Sequence, residues 1–353
     1  MLFQSLSEEY RERLCAILLC GHGSDGTSCL RTLKANGSKI IIQRPDECSA
    51  KALPINAINT GCFDKVFSIN ETVDYLTGRI WQYSFNEEEA KQFLSEIHDV
   101  YGYDFRGYRI ESIIRRIKVA QIKLNLAGFA EFRQAVLTDP DLFEELFLEF
   151  SINVTEFFRD PAAYEGIRNK VLPQFYGSPY LKIWCAGCST GEEPYSLAML
   201  LDELGMLEKS QIYATDINPY VIQEAKNGLF PVEKVQKSAA NYKLSGGIKD
   251  KLEDYFEIKG RIAKIDQKLK EKILFFEHSL GGRGVFNEFQ LIMCRNVIIY
   301  FNPELQQDVL TLFEKSLDPS GFLILGQGEA IIGRASRVDF QVFDKQNRIF
   351  KKA

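Results

Sequence analysis

The chain has 353 residues, 45% of them hydrophobic and 26% charged, with a net charge of -5. That is the make-up of a soluble globular protein with room for two to three domains. The acidic balance gives no support to nucleic-acid binding. No apolar run is long enough to cross a bilayer, and the N-terminus lacks the apolar stretch of a secretory signal. A cytoplasmic protein with no direct membrane insertion is the expectation.

A first block extends to about Phe85. Ala16–Cys20 reads as a short buried strand, followed by Gly21-His-Gly-Ser-Asp-Gly26 and a helical stretch that ends near Asn36-Gly37. Lys39–Gln43 is a second strand and Asp64–Ser68 a third, so the grammar is β-α-β with parallel strands. A second block, 86–176, reads as all helix. Asn86 caps a helix whose first turn carries Glu87, Glu88 and Glu89, acids that suit the positive helix end. Further helices are predicted over Ile110–Lys123, Phe129–Leu137 and Asp141–Phe150, with Asp139-Pro140 as a boundary.

The third block, 177–353, alternates strands and helices. Leu181–Cys185, Gln211–Thr215, Ile273–Phe276, Phe289–Met293 and Gly321–Leu325 are the predicted strands, and Pro303–Leu317 is one of the helices between them. Tyr255–Lys259 and Ile262–Ile265 form a hairpin turning at Gly260, a small β-subdomain near 253–266. The end of the chain, Phe340–Asp344 and Arg348–Lys351, reads as a second hairpin around 345–347. A parallel sheet closed by an antiparallel hairpin suggests a class I (Rossmann-like) methyltransferase fold more than a dehydrogenase. Eight cysteines do not make a disulfide framework here. Cys185-x-x-Cys188 lacks a second pair or nearby histidines to complete a metal site, and Cys185 ends an apolar run where a small buried side chain is expected. No metal is predicted.

In such a sheet a ligand sits beyond the carboxyl ends of the strands, where the topology switches. The first strand of the third block leads into Ala186-Gly-Cys-Ser-Thr-Gly-Glu-Glu-Pro-Tyr195, and a helix begins at once. Gly187 and Gly191 permit a tight turn and close backbone approach. The spacing is not G-x-G-x-x-G, and Glu192 and Glu193 put negative charge where a pyrophosphate needs the helix N-terminus. Acids there suit a cation instead, such as S-adenosylmethionine with its ammonium and sulfonium. Asp216 follows the second strand, where an acid accepts hydrogen bonds from ribose hydroxyls.

Four segments then carry a resemblance: Ser151–Asp160 (SINVTEFFRD), Cys188–Ser196 (CSTGEEPYS), Ala214–Ile217 (ATDI) and Cys294–Phe301 (CRNVIIYF). In this order they resemble the chemotaxis receptor methyltransferases of CheR type, which O-methylate receptor glutamates. The resemblance covers about 87 to 353 and implies an all-helical N-terminal domain before the cofactor domain. It implies that Asn153, Thr155 and Arg159 lie at the methionine end of S-adenosylmethionine, with Arg159 near the reacting centre. Glu192 would hold the amino group, Asp216 the ribose, and Ser279 and Leu280 would line the adenine pocket. Arg295, Asn296 and Tyr300 would stand beside the reacting methyl, with Arg159, Tyr300 and Arg295 as the catalytic set. Plain structural readings stand beside these: Asn153 and Glu156 as a capping box, Asp216 as a helix cap, and Tyr300 as core.

A glutamate substrate is already ionised, so methyl transfer needs alignment and water exclusion, not a general base. Arg106, Arg109, Arg115, Arg116, Lys118 and Lys123 make a basic helical region. It is either a solvated face or, by the resemblance, a dock for the acidic methylation helices in the receptor's cytoplasmic domain. The resemblance implies that a small β-subdomain tethers the receptor tail in some members; the one here shows no extra glycine-rich insertion, so tight binding of a tail peptide is not expected.

The first block has its own resemblance. Gly21–Gly26, Gln43–Asp46 and Leu53–Ile58 resemble the C-terminal part of the CheB-type methylesterases, with Asp25 matching the acid of a Ser-His-Asp triad. The chain begins after the positions of the serine and histidine, so a partial α/β segment over 1–85 without esterase activity is expected. Its exposed sheet edge offers a route to a dimer. A non-catalytic cofactor-binding signalling or scaffold module is the alternative function, and a nicotinamide oxidoreductase ranks third.

Overall fold

The computed structural model describes residues 2–76, 85–124, 126, 128–151, 155–282, 284–285, 287–331 and 338–353. The chain divides into two compact units: residues 1–106 with 110–150, and residues 107–109 with 151–353.

The first unit opens with α1 (Leu2–Tyr10), β1 (Cys15–Leu18), α2 (Leu30–Ala35), β2 (Lys39–Gln43), α3 (Ala52–Asn59), β3 (Lys65–Phe67) and α4 (Ile69–Leu76). The strands form a parallel sheet in the order β1-β2-β3. Ile40, Ile41 and Ile42 are all fully buried, as expected of a parallel strand covered on both faces. Four helices follow: α5 (Glu87–Tyr101), α6 (Ile110–Lys123), α7 (Phe129–Thr138) and α8 (Pro140–Phe150). The predicted start of α5 is a full capping box: the Asn86 side chain accepts from Glu89 N at 2.9 Å, and Asn86 N donates to Glu89 Oε2 at 2.8 Å.

Helix α6 joins the two sequence blocks into one unit. Its Val119 belongs to the same core as Ala16, Leu18, Leu33, Ile40, Ala57 and Phe63, and Ile122 packs against that core. Arg115 lies over Gly61 so closely that a Cβ there would come 1.9 Å from Arg115 Cδ. Three separate blocks are expected from the sequence, but the first two share one core. The stripe at 115, 119 and 122, spaced for one helix face, supplies the cover.

The second unit carries α9 (Pro161–Gly166), β4 (Leu181–Ala186), α10 (Glu192–Glu203), β5 (Ser210–Asp216), α11 (Pro219–Asn227), β6 (Leu229–Pro231), β7 (Phe256–Lys259), β8 (Ile262–Ile265), β9 (Ile273–Glu277), β10 (Phe289–Cys294), the helix Pro303–Ser316, β11 (Leu317–Leu325), β12 (Phe340–Asp344) and β13 (Ile349–Lys352). Its main sheet runs β12-β13-β11-β10-β4-β5-β9. Strand β13 is antiparallel to both its neighbours, whereas the other pairs are parallel. Residues 151–176, expected in the helical block, belong here instead. Phe157, Phe158, Tyr164, Ile167, Val171, Leu172 and Phe175 pack in one core with Ile183, Leu197 and Ile212.

The chain leaves β4 for β5 on one side and returns to β10 on the other, so the sheet changes direction at β4. Its carboxyl end is the place for a crevice. The small subdomain is three-stranded, with β6 pairing β8 outside the predicted β7–β8 hairpin. Gly260, at φ 59°, makes the predicted turn.

Candidate active site

The loop after β4 is shaped by glycine. Gly187 has φ 78° and Gly191 φ 98°, conformations that L side chains avoid. A Cβ on Gly187 would meet Val297 Cγ2 at 2.3 Å. Gly187 N and Cys188 N both donate to Thr215 O, at 2.7 and 2.9 Å, which ties the loop to the end of β5. There Asp216 accepts from Ser189 N at 2.9 Å and Asn218 N at 3.0 Å. Burial pushes its carboxyl up, opposed by the N–H groups of Asn218, Ser189 and Ile217. The cap of α11 is Asn218, which accepts from Tyr220 N at 2.9 Å. Asp216 is therefore not that helix's cap. His278 N donates to Asp216 O at 2.9 Å, which brings the half-buried Ser279 and Leu280 beside the same strand end.

The segment before α9 is held in an unusual shape. Phe158 and Asp160 both have φ 53°, a left-handed conformation that costs about 1 kcal/mol or more for a non-glycine residue and persists only when its surroundings enforce it. Here Phe158 is fully buried and its N–H donates to Ser196 Oγ at 3.0 Å. Arg295, at the end of β10, donates to Arg159 O at 2.7 Å and Asp160 Oδ2 at 2.8 Å. It also reaches Glu193 Oε2 at 3.2 Å and lies over the Tyr164 ring. The Arg295 side chain is only 2% exposed, so its charge is spent inside the protein. Arg159 sits half-buried between the two left-handed residues. Thr155 and Tyr300 are also half-buried. Tyr300 O accepts from Arg109 N at 2.9 Å, and Asn296 has φ 62°. Asn153 lies outside the described residues.

Glu192, the expected partner of the ammonium, is enclosed. Its side chain is 0% exposed, accepts from Thr190 Oγ1 at 2.7 and 3.0 Å, and pairs with Lys234. Its carboxylate has no exposed surface in this structure. One helical step, about 100° of rotation, turns Glu193 towards Arg295 and the 159–160 turn, with 13% of its side chain exposed. Burial pushes the Glu193 carboxyl up while Arg295 opposes it. Cys185, Cys188 and Cys294 are fully buried and their thiols pushed well up by that burial.

A further acid, Glu329, drew no notice in the sequence. It is 2% exposed and receives the N–H groups of Asn296, Val297, Ile298 and Gly326. A lone glutamate in a loop, 33 residues from its partner Asn296, gives no local signal.

In the basic region Arg106, Arg109 and Lys123 are exposed, and several of its side chains have partners within the protein. Arg106 pairs with Asp104 at 2.7 Å, Arg109 donates to Phe301 O at 3.2 Å, and Arg116 and Lys123 both reach Glu149. Lys118 is half-buried, and burial lowers its pKa.

Set beside known proteins, residues 153–348 match the family described as CheR methyltransferase, SAM binding domain. That is more than half of the sequence. The chain belongs to the CheR methyltransferase family. Residues 88–151 match the CheR methyltransferase all-alpha domain, and residues 1–76 match CheB methylesterase. Among relatives of this CheR-type chain, "Putative methyltransferase Cher3" of Pseudomonas putida is 42% identical over 265 residues, covering 75% of this chain and 97% of that protein. A "Chemotaxis protein methyltransferase" of Listeria monocytogenes is 30% identical, with 70% and 92% covered. An "Uncharacterized 104.1 kDa protein" of Rhodobacter capsulatus is 28% identical over 99% of this chain, which spans 40% of that protein. The cofactor is S-adenosyl-L-methionine, and the acids at the ends of β4 and β5 fit its positive charge and its ribose hydroxyls.

Proposed function

We propose that the chain O-methylates glutamate side chains on the cytoplasmic helices of chemoreceptors, giving glutamyl methyl esters and S-adenosyl-L-homocysteine. The substrate class follows the Listeria relative's name, a chemotaxis protein methyltransferase. The observation that supports the reading is the half-buried Arg159 turn, braced by the buried Arg295, which holds Asp160 of that turn and Glu193 of α10 together. When bound, the cofactor supplies a methyl group on a positively charged sulfur. A glutamate is ionised at neutral pH, so the chain needs no base to activate it. Its work is to align the carboxylate oxygen and to keep water out.

In this reading Asp216 holds the ribose hydroxyls, and Ser279 and Leu280 line the base. Glu193, in place of Glu192, takes the ammonium. Asn153, Thr155 and Asn296 complete the amino-acid end. Arg159 and Tyr300 orient the incoming carboxylate. Arg295 is a positioning residue, since its two terminal nitrogens are held by Glu193, Asp160 and the Arg159 carbonyl inside the fold. The N-terminal segment is without esterase activity: His22, Ser24 and Asp25 are neighbours on one exposed loop after β1 and cannot span a nucleophile, base and acid relay.

The test is transfer of radiolabelled methyl to receptor cytoplasmic domains. The label should be released by mild base, as an ester requires, and base-stable label would refute ester formation. Calorimetry with S-adenosylhomocysteine should show a loss of roughly tenfold or more in affinity for Glu193→Gln. Glu192→Gln should change it far less, and the reverse order would restore Glu192 as the ammonium's partner.

A further inference from the structure

Three N–H groups in a row, those of Asn296, Val297 and Ile298, follow β10 and point to one side, away from any strand partner. All three end on Glu329, at 3.0, 2.8 and 2.9 Å, and Gly326 N adds a fourth at 2.5 Å. Left without an acceptor, each would be a costly orphan donor. The carboxylate also sits at the start of the short 3-10 turn Ile298–Tyr300, where a negative charge is favourable. Asn296 is left-handed, at φ 62°, a shape that its neighbours must enforce. Space is closed as well: a Cβ on Gly326 would lie 2.8 Å from both Asn296 N and Glu329 Oε2.

We infer that Glu329 is a positioning residue for methyl transfer, one that sets Asn296 and Tyr300 in the crevice by gripping the backbone between them. Arg295 braces the same segment from its other end through Asp160 and Glu193. Glu329 touches no reactant; it acts through the 296–300 turn. The inference rests on the reading of Asn296 and Tyr300 as site residues.

The test uses the full chain, with Glu329→Gln, Tyr300→Phe and the double variant. Glutamine can accept with one oxygen, but its amide confronts the remaining N–H groups. Glu329→Gln should lower kcat roughly 100-fold, the scale of a misplacement near 1 Å. In the Tyr300→Phe background the same change should cost at least about threefold less, because part of its effect runs through Tyr300. Equal losses in both backgrounds, or no loss in the first, would overturn the inference. Where Glu329→Gln does not fold, Gly326→Ala crowds the same contacts without removing the carboxylate and should give the same non-additive loss. A second readout is independent of turnover. Amide hydrogen exchange should speed up in a peptide spanning 295–301 and not in one spanning 181–186; unchanged exchange in 295–301 refutes the grip. A wild-type chain that binds S-adenosylhomocysteine but methylates no receptor would sink the proposed function, while the exchange measurement still decides what Glu329 holds.

Discussion

Replacing Arg295 with methionine keeps an unbranched side chain in the pocket and removes only the guanidinium. The arginine is 2% exposed and its partner Glu193 13%, so water can replace little of what is lost. Breaking one side of a buried pair leaves the other charge uncompensated, which typically costs about 3–5 kcal/mol. For a unit of roughly 200 residues each kcal/mol is worth about 2–4 °C in melting temperature, so a fall near 10 °C is expected. Burial already holds the Glu193 carboxyl above its ordinary range, and without Arg295 it rises further. The penalty should therefore be largest above that raised value and shrink as pH falls and the carboxyl takes up a proton. Calorimetric unfolding at several pH values measures this. Arg159→Ala is the control, since that side chain is half-exposed: it should shift stability by no more than about 1 kcal/mol while lowering turnover roughly 100-fold. A cost below about 1 kcal/mol for Arg295→Met, or equal destabilisation by the two variants, would refute the division between a brace and a reacting-centre residue.

Gly187→Ala must adopt a left-handed φ and displace Val297, for about 2–5 kcal/mol in total. Urea midpoints should show Val297→Ala recovering the steric part and leaving the backbone part. Asp216, its carboxyl raised by burial, contributes stability to the unliganded fold at low pH that is lost as pH rises through its folded value. Affinity for S-adenosylhomocysteine should move the opposite way, weakening as acid protonates the ribose acceptor, and Asp216→Asn should flatten that pH dependence in calorimetric titrations. Trp184→Phe removes the 2.8 Å bond from Nε1 to Thr215 Oγ1 and should cost about 1–3 kcal/mol, because it leaves a buried hydroxyl without its donor; thermal unfolding reads the loss.

How far the chain could be read in advance depended on the range of the forces involved. Strand β2 and helix α6 have the bounds expected of them, since apolar runs and helical periodicity act locally. The same holds for the Asn86 cap and the Gly260 turn. Strand β6 escaped notice because three residues, one of them Pro231, carry too little pattern. Glu192 and Glu193 are chemically identical neighbours, and only Lys234 and Arg295, distant in sequence, separate their surroundings. The left-handed Phe158 and Asp160 likewise have no local cause. Their shape comes from Ser196 and Arg295, which lie 38 and 135 residues away.

The sharing of Val119 and Ile122 with the N-terminal sheet has a practical consequence. Trimming the first 85 residues to isolate a minimal methyltransferase would peel a greasy strip of α6 bare to solvent. Such a shortened protein would be prone to clump, even with its crevice untouched. The N-terminal sheet would then serve as the cover that keeps this helix face out of water.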